Sequence, residues 1–227
     1  MLPDDAEQPS VARATISEGI RARLKRNPMV SAIAVDKAEM FLRHGLFSAD
    51  ECTRIMEQID AGSQPSKLFR GSGNAQYRTS SSCNLDPHDA FIKSMTQRID
   101  ALLGQPYDMG ESLQGQRYQT GQEYQIHCDY FPGSVDYWPA MKVSGGQRCW
   151  TAMAYLCDVA EGGETHFPRL GLLVPPRRGT LLIWNNLLPD GAPNSETVHA
   201  ARPVVKGSKY IVTRWYRERP WTPWIKP

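Results

Sequence analysis

The sequence predicts a mainly β domain with helical support, an α+β chain whose second half forms a β-sandwich or barrel-like roll. Two observations lead to this prediction. Up to about residue 112 the apolar residues recur at helical spacing, and from Gln114 onward they alternate with polar residues at the period of two that strands require. Because no helix pattern separates the later segments, we expect antiparallel strands and not parallel strands joined by helices.

Length, charge and composition exclude several other classes of protein. The 227 residues suffice for one full-sized domain, and a net charge of +2 gives no reason to expect a nucleic-acid partner. No apolar run reaches the length of a membrane span, and the opening MLPDDAEQPS lacks the apolar stretch of a secretion signal. The 5 cysteines include no CxxC pair, which is typical of reduced thiols. We therefore expect a cytoplasmic protein with no membrane partner.

The first 37 residues form a polar extension that contains one helix pattern. In SVARATISEGIRARLKRN, Ile16, Ile20 and Leu24 lie four residues apart, and an Asn-Pro pair ends the pattern. The basic residues between them could form an arm for an acidic partner, but a solvated helix that packs through its narrow apolar stripe is the favoured interpretation. Residues 1–37 are accordingly assigned as an extension and residues 38–227 as a single domain.

The first part of that domain, residues 38–112, is predicted to be mainly helical. Ser48 and Glu51 have the spacing of a capping box and start a helix that runs toward Gly62. Asp86, followed by proline, supplies the N-cap of a second helix, which Gly104 ends. Between the two helices, GSGNAQYRTSSS is small and polar, which indicates a flexible loop or an edge strand.

The β core is assigned to residues 113–219, with a tail at residues 220–227. Its strand-like segments are QGQRYQT, EYQIHCDYF, RCWTAMAYLCDV, GTLLIW and KYIVTRWYR. The stretch at residues 131–147 is too long for a tight hairpin and is a candidate lid or substrate clamp, or else a plain connector. The YRTSSS loop is a candidate for closing from the other side. The tail, PWTPWIKP, is expected to pack back on the domain, with a dimer contact as the alternative.

A candidate metal site lies in EYQIHCDYF. If this segment is a strand, His127 and Asp129 point to the same face and Cys128 points to the opposite one. The pair alone is weak evidence, but His199 in SETVHAARPV offers a third ligand. Two histidines and one carboxylate leave three positions of a metal open, which is the arrangement that non-haem Fe(II) oxygenases use. These three residues are therefore our candidate iron ligands.

Two further residues are placed to serve the same site. Lys209 opens the strand KYIVTRWYR ten residues after His199, where its cation could pair with the far carboxylate of a dicarboxylate that chelates the metal. Arg214 is the competing candidate for that carboxylate. Tyr118, at the end of the preceding strand segment, could donate a hydrogen bond into the same pocket.

These segments resemble a known family. RYQTGQEYQIHCDYF, GGQRCWTAMAYLCDVAEGGETHFP and HAARPVVKGSKYIVTRWYRERPW are similar to the prolyl 4-hydroxylase group of Fe(II)/2-oxoglutarate dioxygenases. Upstream, FLRHGLFSADECTRIM and YRTSSS resemble the helical entry and the Arg-Thr-Ser loop of that group. The resemblance covers about residues 38–219, and motif order and spacing agree throughout. It leaves the first 37 residues outside.

The resemblance implies a fold and a set of site residues. The fold is a double-stranded β-helix, a jelly-roll form of the β-sandwich, flanked here by the N-terminal helices. Carried over by position, His127, Asp129 and His199 are implied iron ligands, and Lys209 is implied to bind the distal carboxylate of 2-oxoglutarate with Tyr118 in contact with it. Three more positions are implied to border the active site or to line the substrate groove: Trp215, Tyr124 and Arg148. In the family pattern His166 is no ligand.

The implied reaction is the hydroxylation of an unactivated C–H bond, coupled to the decarboxylation of 2-oxoglutarate to succinate and CO₂. Fe(II) is the cofactor, O₂ and 2-oxoglutarate are the cosubstrates, and ascorbate is the expected reductant. The first hypothesis is that the target is a prolyl residue in a peptide or protein. An aromatic groove around Tyr124, Tyr130, Trp138 and Trp215 would favour such an extended substrate.

Two alternatives stay open at this point. The same chemistry could act on a free amino acid or a small metabolite, which a closed pocket would favour, because a fold does not determine a substrate. A non-catalytic binding module of the same fold is the other alternative, and the presence of both histidines, the aspartate and the lysine argues against it. The sequence makes no prediction of the oligomeric state.

Overall fold

The computed structural model describes residues 5–66 and 77–223. The α-helices in this part of the chain are α1 (Val11–Arg26), α2 (Ala49–Gly62), α3 (Ala90–Leu103) and α4 (Trp138–Val143). The strands are β1 (Ser31–Ala32), β2 (Met40–Arg43), β3 (Gln64–Pro65), β4 (Ser81–Asn84), β5 (Gln114–Tyr118), β6 (Tyr124–His127), β7 (Arg148–Tyr155), β8 (Glu161–Gly162), β9 (Thr165–Phe167), β10 (Leu172–Val174), β11 (Leu181–Asn185), β12 (His199–Ala201), β13 (Val204–Lys206) and β14 (Lys209–Arg217).

The strands form two main open sheets. The larger sheet has the order β1-β2-β11-β7-β14-β5-β4-β3, the smaller has the order β10-β9-β12-β6, and β13 pairs with β8 in a short ribbon. Every pairing between these strands is antiparallel, as the uninterrupted strand pattern predicted. The predicted class, a mainly β jelly roll flanked by helices, is confirmed.

Each face of the larger sheet carries its own apolar core. One cluster joins the sheet to the helices, and it contains Ile55 and Ile99 from α2 and α3 together with Trp150 and Val212 from the sheet. The other cluster lies between the two sheets, where residues of β7 and β11 meet Phe167 of β9. The alternation of side chains along each strand divides them between these two cores.

Helix α1 packs through its narrow apolar stripe, as predicted. Ile20 and Leu24 are fully buried in the helix-side core, while the Ser10 hydroxyl caps the first turn by accepting from the Arg13 backbone N–H. Ser17 adds a polar anchor, because its hydroxyl accepts from the indole N–H of Trp150 on β7. The division of the chain at residue 37 stays a prediction.

The two helices of the next part start differently from each other. The predicted capping box of α2 is confirmed, with Ser48 and Glu51 each accepting from the other's backbone N–H. The predicted N-cap of α3 at Asp86 is wrong. Asp86 instead accepts from the His88 backbone N–H in a turn, and Asp89 caps the helix by accepting from Ile92. Asp86 and Asp89 could each cap a helix in the same way. Because Asp86 is used in a turn, the helix begins after Asp89.

One loop of the second half contains an α-helix. Residues 131–147 include the six-residue helix α4, which the sequence pattern does not predict. The described part of the tail, residues 220–223, packs on the domain, since the Trp221 backbone N–H donates to the Asp108 carbonyl at 2.7 Å. Trp224 and the first part of GSGNAQYRTSSS lie outside the described residues. No helix in the described part has the length and apolar character needed to cross a membrane.

Candidate iron and cosubstrate site

Three side chains that can bind a metal converge at one end of the smaller sheet. His127 on β6 and His199 on β12 are directly opposite each other in the antiparallel register, and their ring centroids are 4.3 Å apart. Asp129 completes the cluster, and the ligand atoms of all three residues lie within 4.8 Å of one another. Strand pairing therefore fixes the separation of the two histidines.

Asp129 reaches the cluster in a different way from the one predicted. Strand β6 ends at His127, so the expectation that His127 and Asp129 share one strand is wrong. The carboxylate is buried and positioned by β7, because the Thr151 hydroxyl donates to its Oδ2 at 2.7 Å. Thr151 in turn accepts from the Asn186 amide at 2.9 Å. This chain of hydrogen bonds substitutes for the strand geometry that the sequence suggested.

Both imidazoles present the same nitrogen to the centre of the cluster. Nδ1 of His127 lies 2.8 Å from the Gln125 carbonyl, and Nδ1 of His199 lies 3.0 Å from the Thr197 carbonyl. A carbonyl can only accept, so each Nδ1 carries a hydrogen and each Nε2 lone pair is free for a metal. Burial lowers the pKa of His127 to about 3, which keeps this ring neutral at pH 7.

The electrostatics of Asp129 also suit a metal. Burial opposes ionisation, but the polar and charged groups around the carboxyl, with the Arg148 guanidinium among them, outweigh it, and the pKa of the carboxyl is lowered. Two neutral imidazoles and one carboxylate are the donor set of non-haem Fe(II) oxygenases, with further positions open for other ligands. The residues present therefore fit iron.

A buried lysine shares the cavity with this cluster. Lys209 starts β14 opposite Tyr118 of β5, and its ammonium nitrogen is buried without a hydrogen-bond acceptor among the described residues. Burial lowers the pKa of Lys209 to about 7. Tyr118 lies beside it, with its ring centre 5.3 Å from Nζ. An unpaired buried ammonium group is costly, and an anionic ligand would remove that cost.

Arg214, the competing candidate for this anion, is committed elsewhere. Its guanidinium forms two hydrogen bonds of 3.0 Å with the Asp100 carboxylate, on the helix side of the sheet. It also donates to the backbone carbonyls of Glu111 and Tyr107. These acceptors are distant in sequence, so the strand pattern alone could not separate Lys209 from Arg214.

Of the residues predicted for the groove, all but Trp138 line the cavity, in different roles. Tyr124 stacks on His127 with ring centres 3.6 Å apart. Arg148 binds the Glu111 carboxylate through two hydrogen bonds of 2.6 and 2.7 Å, and its guanidinium lies 4.0 Å from the centre of the Trp215 ring. Trp138, which the sequence suggested as a groove residue, packs behind the loop in a separate apolar cluster.

Sequence reasoning missed two groups of residues. Thr151 and Asn186, which orient Asp129, carry no recognisable motif. Tyr155 and Thr165 were missed at the Lys209 end, where the Tyr155 hydroxyl donates to Thr165 Oγ1 at 2.7 Å and leaves the Thr165 hydrogen free for a ligand in the cavity. Thr165 lies in the segment GGETHFP, and a polar residue at this position of a strand was the one feature that could have indicated a role in the site.

Comparisons with known proteins agree with this site. The family model for the 2OG-Fe(II) oxygenase superfamily matches residues 113–217. Probable prolyl 4-hydroxylase 3 of Arabidopsis thaliana is 31% identical over an alignment of 223 positions, which covers 88% of this chain and 75% of the relative. The prolyl 4-hydroxylase subunit alpha-1 of Gallus gallus is 38% identical over 147 residues, which is 64% of this chain and 28% of that subunit.

Solved structures give the same result. The viral collagen prolyl hydroxylase of Paramecium Bursaria Chlorella virus-1, in its 2OG complex, aligns with a TM-score of 0.61 and 25% identity over 86% of this chain and 98% of that chain. A prolyl hydroxylase of Trichoplax adhaerens shares the fold, with a TM-score of 0.59 and 16% identity over 94% of this chain and 96% of that one.

The jelly roll and its two-histidine, one-carboxylate cluster thus define an Fe(II)- and 2-oxoglutarate-dependent oxygenase. Within that class, the extent and identity of the match to the Arabidopsis relative decide the family. The chain belongs to the prolyl 4-hydroxylase family of the 2OG-Fe(II) oxygenases.

Proposed function

We propose that this enzyme hydroxylates prolyl residues in a peptide or protein and releases succinate and CO₂. The observation that carries the proposal is one cavity that contains both the His127–Asp129–His199 cluster and the unpaired buried ammonium group of Lys209. The cluster suits Fe(II), and the lysine suits the far carboxylate of a dicarboxylate. Together they would hold the metal and the far carboxylate of 2-oxoglutarate in one cavity.

Each residue has a separate task in this proposal. His127, Asp129 and His199 bind the iron, which supplies the oxidising chemistry when O₂ and 2-oxoglutarate are present. Lys209 orients the cosubstrate by pairing with its distal carboxylate, and Thr165 adds a hydrogen bond at that end. The Tyr118 ring lies beside the lysine, and its hydroxyl donates to Gln116 Oε1 at 2.7 Å. Ascorbate is proposed as the reductant that keeps the iron in its ferrous state.

The shape of the cavity supports a peptide over a free amino acid. Its volume of about 1110 Å³ lies just above the range of about 300–1,000 Å³ typical of small-molecule pockets, and it is open to solvent. Aromatic side chains form much of one wall, among them Tyr124, Tyr130 and Trp215. Such a wall suits an extended, proline-containing chain. Two solved relatives are described as acting on collagen or as binding a hypoxia-inducible-factor peptide, which supports the same class of substrate.

Succinate release measures the proposed reaction directly. Purified protein with Fe(II), ascorbate and 2-oxoglutarate should release succinate in the presence of proline-rich peptides, and mass spectrometry should find one added oxygen on proline. Turnover only with free amino acids would assign the alternative substrate class. The absence of both turnover and iron binding would refute the proposal that the protein is an iron-dependent hydroxylase.

Variants separate the two parts of the site. His127→Ala and Asp129→Ala should abolish turnover, because each removes one proposed iron ligand. Lys209→Ala should raise the 2-oxoglutarate KM strongly and leave metal affinity nearly unchanged, since the lysine is not part of the metal cluster. An unchanged KM for 2-oxoglutarate in Lys209→Ala would refute the role given to the lysine.

A further inference from the structure

One wall of the groove is covered from behind by the start of the chain. The inner side of residues 131–137 lines the cavity, and we call this stretch the groove loop. Residues 5–8, which we call the N-terminal strap, contact the outer side of the same loop. The strap precedes α1 and lies well outside the region that matches the oxygenase family model.

The strap and the base of the groove loop are held by one buried amide. Ala6 is fully buried in a cluster with Phe131, Trp138 and Met141. The Gln147 side chain donates to the Ala6 carbonyl at 3.2 Å and to the Phe131 carbonyl at 2.8 Å, and it accepts from the Phe131 backbone N–H at 2.7 Å. A shift of the strap would therefore disturb the hydrogen bonds of Phe131, the first residue of the groove loop.

Two polar contacts extend this attachment along the loop and onto α4. The Glu7 carboxylate accepts from the Gly133 backbone N–H at 3.2 Å, and Asp5 pairs with Lys142 at 2.7 Å. Both partners of the ion pair are about half exposed, so this pair contributes little by itself. The buried Ala6 contact and the Gln147 amide carry most of the attachment.

The strap is also tied to the body of the protein. Arg13 of α1 is 3% exposed, and its guanidinium donates to the carbonyls of Asp5 and Gln8 at the two ends of the strap. The same guanidinium donates to the Gly191 carbonyl at 2.7 Å. The groove loop is thus connected through the strap to α1, which is packed in the core of the domain.

We propose that the N-terminal strap is a positioning element for the peptide substrate, because it holds the groove loop in the form that binds peptide. The helix that follows the loop, α4, has only six residues and is too short to be stable without such contacts. A free loop would have to be ordered by each substrate, at a cost in affinity. This role rests on the proposed peptide hydroxylase function, and it assigns a task to residues before α1.

Ala6→Asp tests the proposal, with Ala12→Asp as the matched control. The first change puts a charge into the buried cluster and should displace the strap, whereas Ala12 is exposed on α1 and does not belong to that cluster. In Ala6→Asp we expect hydrogen exchange to increase at Val135, Trp138 and Met141. We also expect the peptide KM to rise by about tenfold. The control should match the wild type in both measurements.

The remaining parameters distinguish positioning from a general loss of structure. The KM for 2-oxoglutarate, the metal affinity and kcat should stay within about twofold of wild type. Glu7→Lys should produce the same changes to a smaller extent. Unchanged loop exchange in Ala6→Asp would overturn the proposal, as would an equal increase in exchange across β7 and β14. If the wild type hydroxylates no peptide, the proposed function fails, and the exchange data alone decide whether the strap holds the loop.

Discussion

The hydrogen bond from Thr151 to Asp129 makes a specific prediction for metal affinity. Thr151 is fully buried, donates to Asp129 Oδ2 at 2.7 Å and accepts from Asn186 at 2.9 Å. Because Asn186 occupies the oxygen as a donor, the single hydroxyl hydrogen of Thr151 is directed to the carboxylate. Thr151→Val keeps the outline of the side chain and removes this hydrogen bond, together with the one that Thr151 accepts from Asn186.

The expected size of the effect follows from the charge on the acceptor. A hydrogen bond to a charged group contributes about 1.5–3 kcal/mol, and each 1.4 kcal/mol is about tenfold in a dissociation constant. The metal-free protein also loses part of the free energy of this hydrogen bond, and only the remainder weakens metal binding. We therefore expect Thr151→Val to bind metal about 10–100-fold more weakly, the range found when a group that orients a metal ligand is removed.

Calorimetric titration with Co(II) measures this affinity without any turnover. Thr151→Ser retains the hydroxyl and should bind Co(II) nearly as well as the wild type. Thr96→Val is the matched control, since it removes a buried hydroxyl that donates to the Ile92 carbonyl within α3. The reasoning is refuted if Thr151→Val binds Co(II) within twofold of wild type, or if Thr96→Val weakens binding equally.

Three further predictions address the cosubstrate and the fold. With the pKa of Lys209 at about 7, the charged form that pairs with a carboxylate is lost as the pH rises. The affinity for 2-oxoglutarate should therefore fall above pH 7, and calorimetry should show that binding takes up a proton. Lys209→Arg, which stays charged, should show neither effect. Gly110→Ala should lower the Tm by overpacking, because the Cβ of the new alanine would lie 2.4 Å from the Arg214 guanidinium. Gly19 has open space around it within α1, so Gly19→Ala should raise the Tm slightly. Ser48→Ala should cost about 1 kcal/mol in urea unfolding by removing the cap of α2, and an unchanged midpoint would contradict this.

The parts of the site that the sequence predicted are those that depend on local pattern. His127, His199 and Lys209 each lie in a segment that the sequence assigns to a strand, and each lies on a strand in the structure. Asp129 was placed in the right cluster for a wrong geometric reason, because the end of β6 depends on pairing with β12 and not on its own residues.

Contacts between distant parts of the chain were beyond the sequence. Arg148 and Arg214 look alike on their strands, yet their partners Glu111 and Asp100 lie in other segments and give them separate structural tasks. The strap contact joins Ala6 to Gln147 across 141 positions of the chain. No local period or cap signal encodes such a pair, since each partner is chosen by the packing of the whole domain.

The direct opposition of His127 and His199 links the iron site to the correctness of folding. A slip of β12 by one residue against β6 would turn His199 to the other face and separate the two imidazoles. Metal can therefore bind tightly only to chains whose smaller sheet has formed in the native register. At 100 times its dissociation constant a metal adds about 2.7 kcal/mol to the stability of that form alone. Iron would then raise the proportion of molecules whose smaller sheet is paired in the native register, before any substrate binds.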